Sequence, residues 1–312
     1  MTSPSTISPA RLLHERSALA GGFLSTLVTV LDGVNCADQC RERVAVAGSN
    51  HYYSTVFLPA ERQRLLHVVF AFKEEVTAIP RTCTDPGVAR LKLQWWRQEL
   101  AGVFSGSRSA HPVAAALAEL TERAAAPKIF AAIDAVEHDI GPRTCLTFAD
   151  LTAHFGRVYG GFWRIGADLA GYDDPATPDR IADLGSAIDL SQALQDLRMD
   201  APRGRAALPA AELSADGIDP QDLCTPQASA RLRPMLAEHI ERLRGLLSDG
   251  IARVPTLDRM RQLNALVMAN LFLAILEEIK RDGYRVSEHR LGLTPVRKLL
   301  IAWRTKRRAL RP

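Results

Sequence analysis

The stretch Gly185-Ser186-Ala187-Ile188-Asp189-Leu190-Ser191-Gln192-Ala193-Leu194-Gln195-Asp196-Leu197-Arg198-Met199-Asp200-Ala201-Pro202-Arg203-Gly204-Arg205 decides how the chain is read. Asp196 and Asp200 are spaced i, i+4, so a helix puts both on one face. Two anions at that spacing repel, and Asp200 closes the helix where the macrodipole disfavours negative charge. A bridging cation removes both penalties, and paired carboxylates of this kind suit Mg²⁺. Asp189 falls about 20° short of two full turns before Asp196. Asp189, Gln192, Asp196 and Asp200 therefore form one polar stripe flanked by Leu190, Ala193, Leu194 and Leu197. Arg203 and Arg205 follow on a Gly-containing loop, and guanidinium forks suit phosphate. A solvated helix face ending in an Asp-Ala-Pro turn accounts for the same spacing.

Around this stretch the periodicity is helical almost throughout. Helices are expected near 10–31, 36–47, 60–79, 86–104, 111–124, 128–139, 147–170, 178–200, 209–214, 227–250, 256–282 and 294–309. Asp85-Pro86 reads as an N-cap followed by Pro at the first helical position. Thr147 with Asp150 reads as a capping box, and Gly171 and Gly283 read as helix stops. No alternating run of β-branched residues marks a strand. The expectation is an all-α protein: an N-terminal helical extension over 1–39, a main domain over 40–288, and a basic helix over 289–312.

The composition fits a folded core. Of 312 residues, 47% are hydrophobic and 24% charged, which excludes disordered and collagen-like classes. The net charge of +4 is uneven: eight basic residues and no acids lie between His289 and Pro312, leaving the body mildly acidic. Five scattered cysteines read as reduced thiols of a cytoplasmic protein. The uncharged run Ser17–Leu31 falls short of the ~18 residues a membrane span needs. In the tail, Leu299, Leu300, Ile301 and Trp303 alternate with cations, a pattern suited either to peripheral contact with anionic lipid or to packing on the domain. No aromatic platform accompanies the charge, so no nucleic-acid partner is expected.

Several blocks together resemble the squalene/phytoene synthases. The stretch from Gly185 to Pro209 is similar to the family's second aspartate-rich motif, close to GxAxQLTNILRDxxEDxxRGRxYLP. His51-Tyr-Tyr-Ser-Thr-Val-Phe-Leu-Pro59, Leu91-Lys-Leu-Gln-Trp-Trp-Arg-Gln-Glu-Leu100, Val158-Tyr-Gly160 and Ile275-Leu-Glu-Glu-Ile-Lys-Arg-Asp-Gly-Tyr284 match further blocks in the family's order. The resemblance implies an isoprenoid-synthase-type helical bundle around a central cavity. Two facing acidic motifs would hold Mg²⁺ and the diphosphates of two prenyl substrates for head-to-head condensation. Carried over, Asp196 and Asp200 would be metal ligands, Arg203 and Arg205 diphosphate contacts, and Tyr53 a wall of the substrate pocket.

The first acidic motif departs from this pattern. In Ala71-Phe-Lys-Glu-Glu-Val-Thr-Ala-Ile-Pro-Arg81 the family's paired aspartates align with Thr77 and Ala78, the third with Arg81, and only Glu75 persists. Pro80 is expected to end this helix early. Arg81 either binds diphosphate directly or lies on the surface, and Asp189, replacing the family's Gln, either supplies an extra metal carboxylate or is a satisfied polar residue. Two functions stay open. One is a prenyl-diphosphate-binding protein, a transferase with fewer Mg²⁺ ions if active. The other is a non-catalytic pseudoenzyme with a protein client, as in a family member that resembles an assembly factor for respiratory complex I.

Overall fold

The computed structural model describes residues 36–120, 125–142 and 145–311. The expected helix at 10–31 and nearly all of the 1–39 extension lie outside them. The described residues form helices and turns with no strand. In chain order the helices are α1 (36–44), α2 (Asn50–Thr55), α3 (Ala60–Thr82), α4 (Pro86–Phe104), α5 (Pro112–Leu120), α6 (Ala126–Val136), α7 (Phe148–Ala170), α8 (Thr177–Gln195), α9 (Leu197–Asp200), α10 (Ala210–Ala215), α11 (Pro226–Arg253), α12 (Leu263–Arg281) and α13 (Pro295–Ala309).

The signals that start and stop these helices act as their chemistry requires. Asp85 accepts from the amides of Gly87 and Val88 at 2.6 and 3.2 Å, with Pro86 opening α4. Thr147 and Asp150 cap one another's backbone at the start of α7, and Gly171 closes it at φ 78°. The turn into α8 is held by the buried carboxylate of Asp258, which accepts from the amides of Asp173 and Asp174 and from the Thr177 hydroxyl.

Three expectations fail. The helix expected over 256–282 begins only at Leu263, after a short 3₁₀ turn at Thr256–Asp258. Pro80 does not end its helix: α3 runs on to Thr82. The proline is buried in the last turn, where packing outweighs one missing hydrogen bond. The helix expected over 178–200 is not continuous. Asp196, at φ −93° and ψ 12°, closes α8 and opens the single turn of α9.

The core is organised on α7 and α8, which pack along each other, with α3, α11 and α12 around them. In α3 the run Leu66–Lys73 is wholly buried, the mark of a helix enclosed on all sides. Phe70 meets Trp163 of α7 at 5.1 Å between ring centroids, and Phe72 meets Trp96 of α4 at 5.5 Å. Trp96 is 3% exposed and its neighbour Trp95 43%, the division that their ~100° separation on a helix imposes. No disulfide joins the five cysteines, and burial pushes the Cys40 thiol up to about 12. No described helix is long and apolar enough to cross a membrane.

Close approach of α7 to α8 depends on glycine. A Cβ at Gly185 would lie 2.0 Å from the Trp163 ring, and one at Gly160 3.2 Å from the Ser186 hydroxyl. Overpacking of this kind costs about 1–3 kcal/mol or more. Gly185→Ala is therefore expected to lower the unfolding free energy in urea by at least that much, and so the midpoint, with a shift in tryptophan emission as Trp163 moves. An unchanged midpoint would contradict the packing described.

Candidate functional site

A narrow cleft opens between the C-terminal half of α3 and the C-terminal half of α8 together with α9. It is walled by Lys73, Glu74, Thr77 and Arg81 on one side, by Asp189, Gln192, Asp196 and Asp200 on the other, and by Phe155 and Tyr159 of α7. The polar stripe expected at 189, 192, 196 and 200 thus lines one space despite the break at Asp196. The cleft volume is only about 30 Å³, room for a few water molecules.

The reason for the narrowness is a buried ion pair. Lys73 Nζ donates to one oxygen of Asp189, and Trp163 Nε1 donates to the other at 2.7 Å. Lys73 also lies over the Trp163 ring, 5.2 Å from its centroid. Burial pushes the Asp189 carboxyl up, while the Lys73 ammonium and its hydrogen bond pull it down. Both Asp189 oxygens are thus engaged by protein donors. Sequence reasoning passed over Lys73; the signal was a lysine in the middle of an apolar run, seldom fully buried unless paired.

Arg81 is inside the cleft rather than on an outer surface. Its Nη2 lies 3.4 Å from Glu74 Oε2. Burial alone would weaken its hold on the proton, but Glu74, Tyr159, Asp200 and Asp196 raise its pKa above the ordinary arginine value. A guanidinium therefore occupies the side where the family resemblance places a metal-binding carboxylate. Glu75 does not face the cleft; it pairs with Arg43 at 2.5 Å. Asp196 carries a cation too, with Arg290 Nε at 2.5 Å.

Three of the candidate residues stand elsewhere. Arg203 is exposed and donates back to the Met199 carbonyl at 2.6 Å. Arg205 is buried and donates to the Asp139 carboxylate and, at 2.8 Å, to the Asp139 carbonyl, alongside His154 at 2.8 Å from the same carboxylate. Tyr53 is buried, with its ring 5.1 Å from Tyr52, and lines neither this cleft nor the cavity beside it.

That second cavity measures about 550 Å³ and shares Glu74 and Gln192 with the cleft. Arg43, Arg290 and Lys298 line it, with Val44, Met268 and Ile275 supplying apolar wall. Lys298 Nζ donates to the Gly48 carbonyl at 2.7 Å, and burial lowers its pKa, with Arg290 adding to the effect. Asn50 Oδ1 and His51 Nδ1 are buried here without a hydrogen-bond partner. The cleft lining holds four acids against two cations; the cavity lining holds three cations against Glu74, with Arg43 and Arg290 also paired to Glu75 and Asp196 just beyond it.

A sequence model of the squalene/phytoene synthase family matches residues 44–297. A phytoene synthase of Mycobacterium tuberculosis is 27% identical over 263 residues, covering 82% of this chain and 85% of that protein. A 15-cis-phytoene synthase of Synechocystis is 24% identical over 283 residues, covering 85% and 83%. In fold, a dehydrosqualene synthase crystal structure in complex with ligand superposes with a TM-score of 0.71 at 17% identity, over 89% of this chain and 96% of that one. The squalene synthase HpnC from Alicyclobacillus acidocaldarius gives 0.64 at 21% identity, over 82% and 97%.

Two measurements probe this site. Lys73→Met strands Asp189 as a buried charge and is expected to cost about 3–5 kcal/mol in urea unfolding, whereas Lys73→Met with Asp189→Leu recovers most of that loss. Equal losses in the single and double variants would show that the pair is not coupled. Burial holds the His51 and His67 imidazoles down at about 4, below the ordinary 6.5, with Lys73 adding to the effect at His51. The unfolded chain takes up these protons first, so stability that is complete above pH 6.5 drains away as pH falls towards 4. His67→Gln is expected to flatten this acid limb by up to about 3 kcal/mol.

Proposed function

The chain belongs to the squalene/phytoene synthase family, and from that premise we propose that it binds a prenyl diphosphate through side-chain cations, in the larger cavity rather than in the cleft. The observation that carries this reading is the three cations Arg43, Arg290 and Lys298 on an apolar-backed cavity that also holds an unpartnered His51 Nδ1. A cavity of this size suits a small-molecule ligand. Guanidinium groups take diphosphate oxygens in paired hydrogen bonds, and Lys298 adds a point charge. A neutral His51 is able to donate from Nδ1 to an anion. Val44, Met268 and Ile275 accept the start of a hydrocarbon chain.

The Mg²⁺ cage implied by the family does not fit the residues of the cleft. Asp189 is committed to Lys73 and Trp163, Asp196 to Arg290, and Arg81 brings a positive charge where a ligand carboxylate would stand. Among the described residues no group of three His, Cys, Asp or Glu side chains is arranged to hold a metal ion. Expelling diphosphate requires several positive charges preorganised at the leaving oxygens, often the largest single contribution to catalysis. Lys73 is neutralised by Asp189, and Arg81 lies within a net negative cleft, so neither is free to supply that charge. The reading is therefore a prenyl-diphosphate-binding protein that holds its ligand without rapid head-to-head condensation.

The test is thermal unfolding of the purified chain with farnesyl or geranylgeranyl diphosphate, with and without Mg²⁺, alongside an assay of released diphosphate. A saturating ligand is expected to raise Tm by several degrees, as ~100 Kd contributes about 2.7 kcal/mol, with no requirement for Mg²⁺. Arg290→Gln is expected to weaken binding about tenfold or more. No stabilisation by either ligand would reject the reading and leave a protein client as the alternative. Stabilisation only with Mg²⁺, or rapid diphosphate release, would reject metal-free holding in favour of an active transferase.

A further inference from the structure

We propose that α13 docks the protein on an anionic lipid surface, with its outward face lying in the bilayer interface. This goes beyond the ligand reading and stands whatever fills the cavity. The inward side of α13 is fixed by Ala302, Thr305 and Ala309, all buried, and by contacts with α2 and α12. At about 100° per residue, the directly opposite side carries Val296, Leu300, Trp303 and Arg307, with Leu299 and Leu310 beside them. Val296 is 78% exposed, Leu310 61% and Trp303 43%. A folded domain gains nothing by presenting five large apolar side chains to water on the far side of a packed helix; such contiguous patches mark contact surfaces.

Charge complementarity selects the partner. Arg307 lies within the outward strip and Arg304, Arg308 and Arg311 adjoin it along one flank; all four are exposed, and residues 289–312 include no acid. The Arg307 guanidinium lies 4.9 Å from the Trp303 ring centroid, so that cation and indole stand together at one level. Protein interfaces also enrich Trp and Arg, but eight cations without a single acid over 289–312 call for a densely anionic surface. An apolar strip edged by arginines and centred on a tryptophan matches the boundary between acyl chains and anionic headgroups. No described helix is able to span a bilayer, so the geometry is that of a helix lying on it.

The inner side of the same helix gives this placement a use. Lys298 of α13, with Gly292 and Arg290 just before it, lines the 550 Å³ cavity. Docking through the outer side therefore brings the cavity wall to within one helix diameter, roughly 10 Å, of the lipid.

The full chain is expected to co-sediment with vesicles of equimolar phosphatidylcholine and phosphatidylglycerol, to remain in solution with phosphatidylcholine alone, and to be released as salt rises. Leu300→Ser with Trp303→Ser is expected to lower partitioning by about tenfold or more. The melting temperature should barely change, since both residues are exposed. Arg304→Gln with Arg311→Gln is expected to lower it roughly tenfold and to flatten its salt dependence. Binding unchanged in both variants, equal binding to neutral vesicles, or no vesicle binding at all would overturn the proposal. So would tight association with an acidic protein in the absence of any vesicle affinity.

Discussion

The contact between Lys73 and Asp189 sets the terms for the middle of the molecule. It joins α3 to α8 across the cleft, and Trp163 completes it from α7. Both charges are almost wholly buried, so each depends on the other. With Lys73 seated there, Asp189 is spent as a counter-ion, the cleft shrinks to the space of a few waters, and Gly185 is required so that the indole of Trp163 has somewhere to lie. The charge change at Arg81 reinforces the arrangement from the cleft's open end. The cleft thus carries two cations of its own, Lys73 and Arg81, among four acids.

The fold was legible because its punctuation is local. Asp85-Pro86, Thr147 with Asp150, Gly171 and Gly283 each act within one turn of helix, and each does what its chemistry predicts. Pro80 and Asp196 were misread for the opposite reason. Whether a proline is tolerated in a last turn depends on what packs around it, and the aspartate at which α8 breaks has its partner in an arginine 94 residues later. Neither is visible in a window of neighbouring residues.

The site was legible only in outline. Spacing on one helix brought Asp189, Gln192, Asp196 and Asp200 to a common space, and the alignment of blocks brought Arg81 opposite them. It did not show that Arg205 serves Asp139, since that partner lies 66 residues upstream and carries no motif. Nor did it show that the roomier, cation-lined cavity lies beside the acidic cleft. Its lining is gathered from the N-terminal segment, α3, α8, α12 and the approach to α13. A cavity assembled from so many elements has no spacing to read.

Arg290 belongs to two neighbourhoods at once: it grips Asp196 at the edge of the cleft and faces the larger cavity. An incoming anion would have to win this guanidinium from a carboxylate that already holds it. Affinity is then the difference between two ionic contacts rather than the strength of one, and a doubly ionised headgroup competes where a singly charged one does not. The released aspartate would face the cleft with its charge exposed, so filling one compartment would make its neighbour more attractive to a cation.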